Sequence, residues 1–381
     1  MPQVAASFTR LFDSAALRGL LCLSLAMAGS AQDKPSRGKT SKAERATENL
    51  VWPGPPLRPR IRWVALIQGA EDITGKRKLS FVERMSGKSP AREQLRLRKP
   101  YGVAVDQAGK IYVADPEQRG VLVFDRANKT ASLRKGTAQF PLSLPICVAV
   151  HQDGRMFVSD SFAAQVVVFE PEGKPVAAFG KGTFKRPGGL AINTGRGWLY
   201  VVDVKRNEVL IFDLKTFRLL KSFGGPSKSG EFEPGTLSGP TNIALDAAGR
   251  VYVADTWNCR IQVFDPDGRF LRSFGTLGVR PGHFVRPKGV GIDSEGHVYV
   301  VDAGFSNFQV FTAEGKPLMF VGSAGDSPGQ FLLPAGMAID HQNRIYITEQ
   351  RPEGGRLQIF EYLPDQPVSP SGGAMEARRF Q

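Results

Sequence analysis

Cysteine and histidine are scarce in this chain, three and four residues among 381. Three cysteines cannot build a disulfide scaffold, and Cys147 and Cys259 fall in different stretches with nothing that forces them to pair. No CxxCH occurs, which excludes covalent haem attachment of that type. Four scattered histidines leave little for a zinc site, which wants about three converging ligands and one open position. No apolar run approaches the roughly 18 residues that a membrane-spanning helix needs. No P-loop, no GxGxxG between a strand and a helix, and no Ser-His-Asp order is readable. Acids are in deficit, 36 against 50 lysines and arginines, for a net charge of +14.

What is present begins with a leader. Arg10 and Arg18 precede the apolar run Leu20–Ala28, and Gly29-Ser30-Ala31 offers small residues before Gln32. A basic start, an apolar middle and a small-residue exit are the parts of a secretory signal, so residues 1–31 are predicted to be cleaved after Ala31 and the rest exported to the periplasm, cell envelope or medium. A leading amphipathic helix is the alternative. Leu20 and Leu21 are too bulky for Cys22 to head a lipobox. The leader holds Arg10 and Arg18 against Asp13, so the exported part keeps about +13 of the net charge, which attracts anionic partners.

The chain then repeats itself. "PYGVAVDQAGKIYVAD" from Pro100 returns in altered form from Pro145, Pro187, Pro240, Pro287 and Pro334, at intervals of 45, 42, 53, 47 and 47 residues. A period in this range signals a solenoid, propeller or array. Each unit reads as a strand, a tight turn with Gly109, Gly154, Gly249, Gly296 or Asn343 where positive φ is wanted, and a second strand. A third strand follows ("VLVFD", "VVVFE", "VLIFD", "IQVFD", "FQVFT", "LQIFE"), then a fourth ending in Phe-Gly or its like, least distinct in the first unit. Second strands such as "VYVA" and "LYVV" are apolar on both faces, whereas a half-exposed antiparallel strand alternates. Small sheets covered on both sides, stacked around an axis, make an all-β six-bladed β-propeller of four-stranded antiparallel blades.

The sixth unit has only three strands before its polar tail. "RIRWVALIQG", Arg60 to Gly69, has the form of a fourth strand and is predicted to pair onto the third strand of the last unit, closing the ring and removing an open edge. The predicted organisation is a signal peptide over 1–31, a basic disordered linker and Pro-rich lead-in over 32–59, the propeller over 60–362 and a disordered tail over 363–381. Leu79, Phe81, Val82 and Met85 sit in an insertion, Glu71 to Arg98, and are spaced for a short amphipathic helix.

The pattern P-x-G-[apolar]-A-[apolar]-D, G-x-[apolar]-Y-V-A-D, R-I-Q-V-F, closest from Pro240 to Phe264, resembles the NHL repeat. The connectors "FGTLGVRPGHFVRP" and "VGSAGDSPGQFLLP" are similar to that family as well, and the resemblance runs over roughly 60–362. It implies a six-bladed propeller. The lead-in "VWPGPPLRPRIRWV" resembles exported bacterial NHL proteins, a group often encoded near multihaem cytochromes. Function is not implied by the fold alone: NHL propellers include RNA- and protein-binding platforms and one enzyme class, the peptidyl-hydroxyglycine lyases.

An acid closes the second strand of every unit: Asp115, Asp160, Asp203, Asp255, Asp302 and Glu349. A catalytic carboxylate is needed once or twice, not in every blade. These acids are therefore read as structural, accepting hydrogen bonds from backbone N–H groups of the following loop. The lyases that this fold resembles carry a His-rich zinc site in the channel. Here His283 lies in a connector, His151 and His341 lie at turns, and His297 opens a second strand, so no metal and no cofactor is assigned. Calcium-dependent propellers need several carboxylates and amides at the channel mouth. Asn242 is placed to face it, but no matching acids accompany it, and "DPDG" at Asp265–Gly268 is ordinary hairpin chemistry.

The strongest signal is charge placement. Loops leading into first strands carry Arg98, Lys99, Lys185, Arg186, Arg286 and Lys288. Loops after second strands add Arg119, Lys205, Arg206 and Arg260, together with Trp257 and Phe305 for stacking. In a propeller these two loop sets share the top face, so the cations are expected to ring one opening. The chain is read as a monomeric, non-enzymatic binding scaffold for an anionic partner. That partner is an acidic envelope protein, such as a multihaem cytochrome with exposed propionates, or an anionic polysaccharide. The alternatives are a metal-dependent lyase or hydrolase with its site in the channel, and an RNA-binding domain, which export disfavours.

Overall fold

Strands apolar on both faces must be covered twice, and in the computed structural model each blade is sandwiched between two others. The structure describes residues 50–75, 95–230 and 232–364. The leader, the basic linker before residue 50, the helix expected over Leu79–Met85 and the tail from 365 lie outside the described residues.

Five of the six sheets have four antiparallel strands in consecutive order, from Val103–Val105 through Thr130–Lys135 in the first blade to Pro287–Ile292 through Pro317–Val321 in the fifth. The first strands of neighbouring blades lie against one another, and that of the sixth blade, Pro334–Ile339, lies against that of the first, which closes the ring. The first blade's faint fourth strand is Thr130–Lys135, paired with Gly120–Asp125. The turn residues Gly109, Gly154, Gly249, Gly296 and Asn343 all have positive φ.

Closure uses the upstream segment. Ile61–Ile67 pairs antiparallel with Arg356–Tyr362, with Ile61 opposite Tyr362 and Ile67 opposite Leu357. A fifth strand that the sequence did not announce, Val51–Trp52, adds outside it against Ile61 and Arg62.

Six apolar clusters fill the six seams between adjacent blades. Tyr252, Val263, Phe284 and Phe311 fill the seam of blades four and five, for example. Around the axis the inner strands come closer still. Two residues after the repeat proline stand Gly102, Gly189, Gly289 and Gly336 in four of the blades. A Cβ on Gly336 would lie 2.0 Å from the Tyr101 carbonyl oxygen in the next blade. Gly336→Ala is therefore expected to cost about 1–3 kcal/mol by forcing two blades apart. Thermal unfolding followed by circular dichroism checks this, and an unchanged melting temperature would show the inner ring to be looser than the packing implies.

Candidate functional site

In four blades the acid works as a staple between the backbones of two loops of the top face. Asp203 accepts backbone N–H groups from Lys185 (2.6 Å) and Arg186 (3.0 Å) in the loop before the first strand. It also accepts those of Lys205 and Arg206, both at 3.1 Å, in the loop after its own strand. Asp115 does the same for Arg98, Lys99, Glu117 and Gln118, Asp160 for Ser143, Leu144, Phe162 and Ala163, and Asp302 for Val285, Arg286, Gly304 and Phe305. Sequence reasoning named only the following loop; the leading loop is held as firmly. All four N–H donors to Asp203 belong to lysines and arginines, as do two of those to Asp115 and one to Asp302, so in these blades the carboxylate fixes the backbone from which the cationic side chains project; the donors to Asp160 carry no charge. Burial pushes the Asp115 carboxyl up despite its four N–H donors, which lower it.

Blades four and six solve the same problem with an ion pair. Arg260 Nε donates to Asp255 at 2.8 Å and its Nη2 to the Thr236 carbonyl at 2.9 Å. Arg356 pairs with Glu349 at 2.7 Å. Both arginines are buried. Arg260, expected among the exposed cations of the top face, is therefore corrected: it opens a third strand whose side chain turns inward under the loop. Its charge is neutralised by Asp255 and is not offered to solvent. Arg206 is half-buried and paired with Glu208 at 3.0 Å, so it too gives little free charge.

Among the described residues, Arg98, Lys99, Arg119, Lys185, Arg186, Lys205, Arg286 and Lys288 form no ion pair; all but the half-buried Lys288 are exposed. They do not form one even ring. Arg98 and Lys99 line a groove with Glu117, Arg351 and Glu353 where blades six and one meet. Arg119 lies at a separate hollow beside Lys135 and Thr137. Arg186, Arg286 and Lys288 converge with Trp257 on a third cavity, of about 240 Å³, which draws its lining from blades one to five. Phe305 is not among its lining residues.

This cavity also takes in Tyr101, Ile146, Ser161, Gly188, Val204, Gly239, Thr241 and Thr256. Tyr101 went unnoticed in the sequence, although the residue directly after the repeat proline breaks the apolar pattern in three units: Tyr101, Thr241 and Lys288. The Lys288 ammonium stands 5.2 Å from the centre of the Tyr101 ring. Burial, and then the like charge of Arg286, pull its pKa down to about 8. Burial pushes the Tyr101 hydroxyl up to about 12, against the pull of Arg286 and Arg186. Trp257 stands on a 3-10 turn, Thr256–Asn258, with its indole across Gly239. A Cβ on Gly239 would lie 1.6 Å from the ring, so glycine makes the room.

Hydroxyls on one blade hold the rim residues of the next. Thr256 donates to the Pro287 carbonyl at 2.8 Å and Thr241 to that of Lys288 at 3.2 Å. Ser159 donates to the Gly188 carbonyl at 2.6 Å. The backbone of Arg186 and Arg286 is thus held by a carboxylate and that of Lys288 by a hydroxyl before any ligand arrives.

The opposite face carries a different repeat. Asp106, Asp246, Asp293 and Asp340 each accept the hydroxyl of the tyrosine six residues on, at 2.9 to 3.3 Å, and cap the turn between. His297 contacts Asp293 at 2.9 Å and His151 contacts Asp153 at 2.9 Å. Among the described residues no three His, Cys, Asp or Glu side chains come together as metal ligands. At the channel mouth the residue after each repeat proline is Tyr, Ile, Gly, Thr, Lys or Ala, a donor set that does not fit a zinc centre.

A family model for the NHL repeat matches residues 237–264. A probable peptidyl-α-hydroxyglycine α-amidating lyase of Caenorhabditis elegans is 36% identical over 102 residues, 26% of this chain and 28% of that protein. The Brain tumor protein of Drosophila melanogaster is 46% identical over 55 residues, 14% of this chain and 5% of its own length. The chain thus matches 28% of the length of one relative and 5% of the other. Among solved structures, a Bacteroides thetaiotaomicron protein of unknown function is 16% identical with a TM-score of 0.57, covering 79% of this chain and 76% of that one. That likeness is one of fold.

Proposed function

From the premise that this chain is an NHL-repeat β-propeller, we propose that it is a binding scaffold whose top face receives an acidic protein partner. The observation that carries this reading is the set of exposed lysines and arginines that, among the described residues, form no ion pair, with Arg98, Lys99, Lys185, Arg186, Lys205 and Arg286 held in place by carboxylates bound to their own backbone. Charges that are fixed and uncompensated raise the potential where they cluster and cost little reorganisation on binding. Guanidinium forks orient carboxylates well. With the leader read in residues 1–31, the partner is an exported or envelope protein. Similarity to a lyase raises the enzymatic alternative; against it, among the described residues no three His, Cys, Asp or Glu side chains come together as zinc ligands.

The test uses poly-glutamate as a surrogate partner. Binding is compared between the unaltered protein and one carrying Glu at Arg98, Lys99, Lys185, Arg186, Arg286 and Lys288, both shown to be folded by circular dichroism. Affinity is expected to fall at least tenfold in the variant, and to fall with salt as the screening length shrinks to about 8 Å near 0.15 M. Equal binding by both proteins removes the reading.

A further inference from the structure

We propose that the cavity at the channel mouth is a socket for a single oxyanion head group, a carboxylate or a phosphate, gripped by Arg186, Arg286 and Lys288 and covered by Trp257. This rests on the top-face reading and narrows it to one place and one chemical group.

Four observations carry it. First, three cations line one small open hollow and, among the described residues, none of them has an ionic partner. Like charges brought together without counter-charge are disfavoured until an anion enters. Second, the cavity is about 240 Å³, below the roughly 300–1,000 Å³ usual for whole small-molecule ligands, so it suits a head group more than a sugar chain or nucleotide. Third, the rim is built for position. Asp203 and Asp302 hold the backbone N–H groups of Arg186 and Arg286, and Thr241 and Thr256 hold the carbonyls of Lys288 and Pro287. Fourth, the walls are chemically mixed. Tyr101 and Trp257 give flat aromatic surface, Ile146 and Val204 give apolar surface, and the charge sits among them, where partial exclusion of water strengthens it.

The Lys288 amine adds a pH signature. Its pKa is drawn down to about 8. The cost of holding it charged is present below that pH and is relieved as pH rises toward the ordinary lysine value. Anion affinity must run the same way: full below pH 8, weaker above as the ammonium is lost. A bound anion moves that midpoint upward, because it favours the charged amine.

The experiment follows Trp257 fluorescence in the full chain during titration with citrate, inorganic phosphate or a hexaglutamate peptide, with Trp257→Phe to identify the signal. Socket variants are Arg286→Gln, Lys288→Met and Lys288→Arg, each checked by its melting temperature. The expected result is mutual competition between the free anions and the peptide, at least tenfold weaker binding of all three in Arg286→Gln and Lys288→Met, and loss of affinity from pH 7 to 9.5. Lys288→Arg is expected to keep binding and lose the pH dependence. Unchanged affinity in Arg286→Gln and Lys288→Met overturns the socket. If the peptide then loses its binding when Arg98, Lys99 and Lys185 are changed to Glu, the broader top-face reading survives alone; if it still binds, that reading falls as well. If citrate or phosphate binds the socket and the peptide binds nowhere, the socket stands and the acidic-protein partner falls.

Discussion

Deleting Ile61–Ile67 is expected to abolish cooperative unfolding, while a chain ending at residue 366 should melt close to the full-length protein. The deleted strand supplies the outer partner of Arg356–Tyr362 over the register from Ile61–Tyr362 to Ile67–Leu357. Its two ends also feed two different cores. Ile61 is buried with Phe308, Phe331 and Phe360 in the seam of blades five and six, and Ile67 with Ile111, Leu122 and Leu357 in the seam of blades six and one. Each of those isoleucines is worth about 1.5–3 kcal/mol of burial. The deletion also removes Trp63, whose indole N–H donates to Gln358 at 2.9 Å, a side chain that itself reaches Glu349 at 2.8 Å. The bared edge of Arg356–Tyr362 would then be open to pairing with other chains. Ile61→Ala is the milder version, at about 2–5 kcal/mol, and a shift of about 2–4 °C per kcal/mol is the scale for a domain near this size. Calorimetry reads all three. A sharp, single transition in the strand deletion would mean that the ring holds without its clasp.

Asp203→Ala is expected to lower stability by about 1–3 kcal/mol, the range for leaving a buried hydrogen-bonding group without its partner. The carboxylate is fully buried and accepts four backbone N–H groups, and alanine answers none of them. The same change should weaken poly-glutamate binding, because Lys185, Arg186 and Lys205 lose the anchor that aims them. Lys205→Ala separates the two effects. It removes an exposed charge from the same loop and should change stability by no more than about 0.5 kcal/mol, yet still reduce binding. Urea unfolding and a binding titration on both variants check this. If Asp203→Ala is as stable as the parent, the acid is not a staple.

The acids illustrate how far local pattern reaches. Their recurrence in all six units, at the end of a two-faced apolar strand, spoke for structure over catalysis, and the turn that follows them is a matter of two or three residues. The leading loop lies some 17 residues upstream and enters only when the sheet has formed, so half of each staple was illegible. Arg260 shows the opposite error. By position it belongs to a basic loop, but the strand that it opens directs it under the loop to Asp255. Gln262, Gln309 and Gln358 were readable as polar residues in apolar strands; their task, holding the connector backbone of the same seam, was not. Tyr101 and the threonine–carbonyl contacts were hidden for the same reason, since each joins residues of different blades.

The sequence by itself determined the number of blades, their strand order, the tight turns with positive φ and the use of the upstream strand to close the ring. All of these follow from apolar periodicity, turn chemistry and a missing strand, which are written within one repeat or counted across six. Only the tertiary structure decided which cations remain free, which are neutralised from within, and which three meet around one cavity. Charge in a sequence has a position along the chain but no direction. Direction comes from strand register and from hydrogen bonds between blades, and these exist only once the ring has closed.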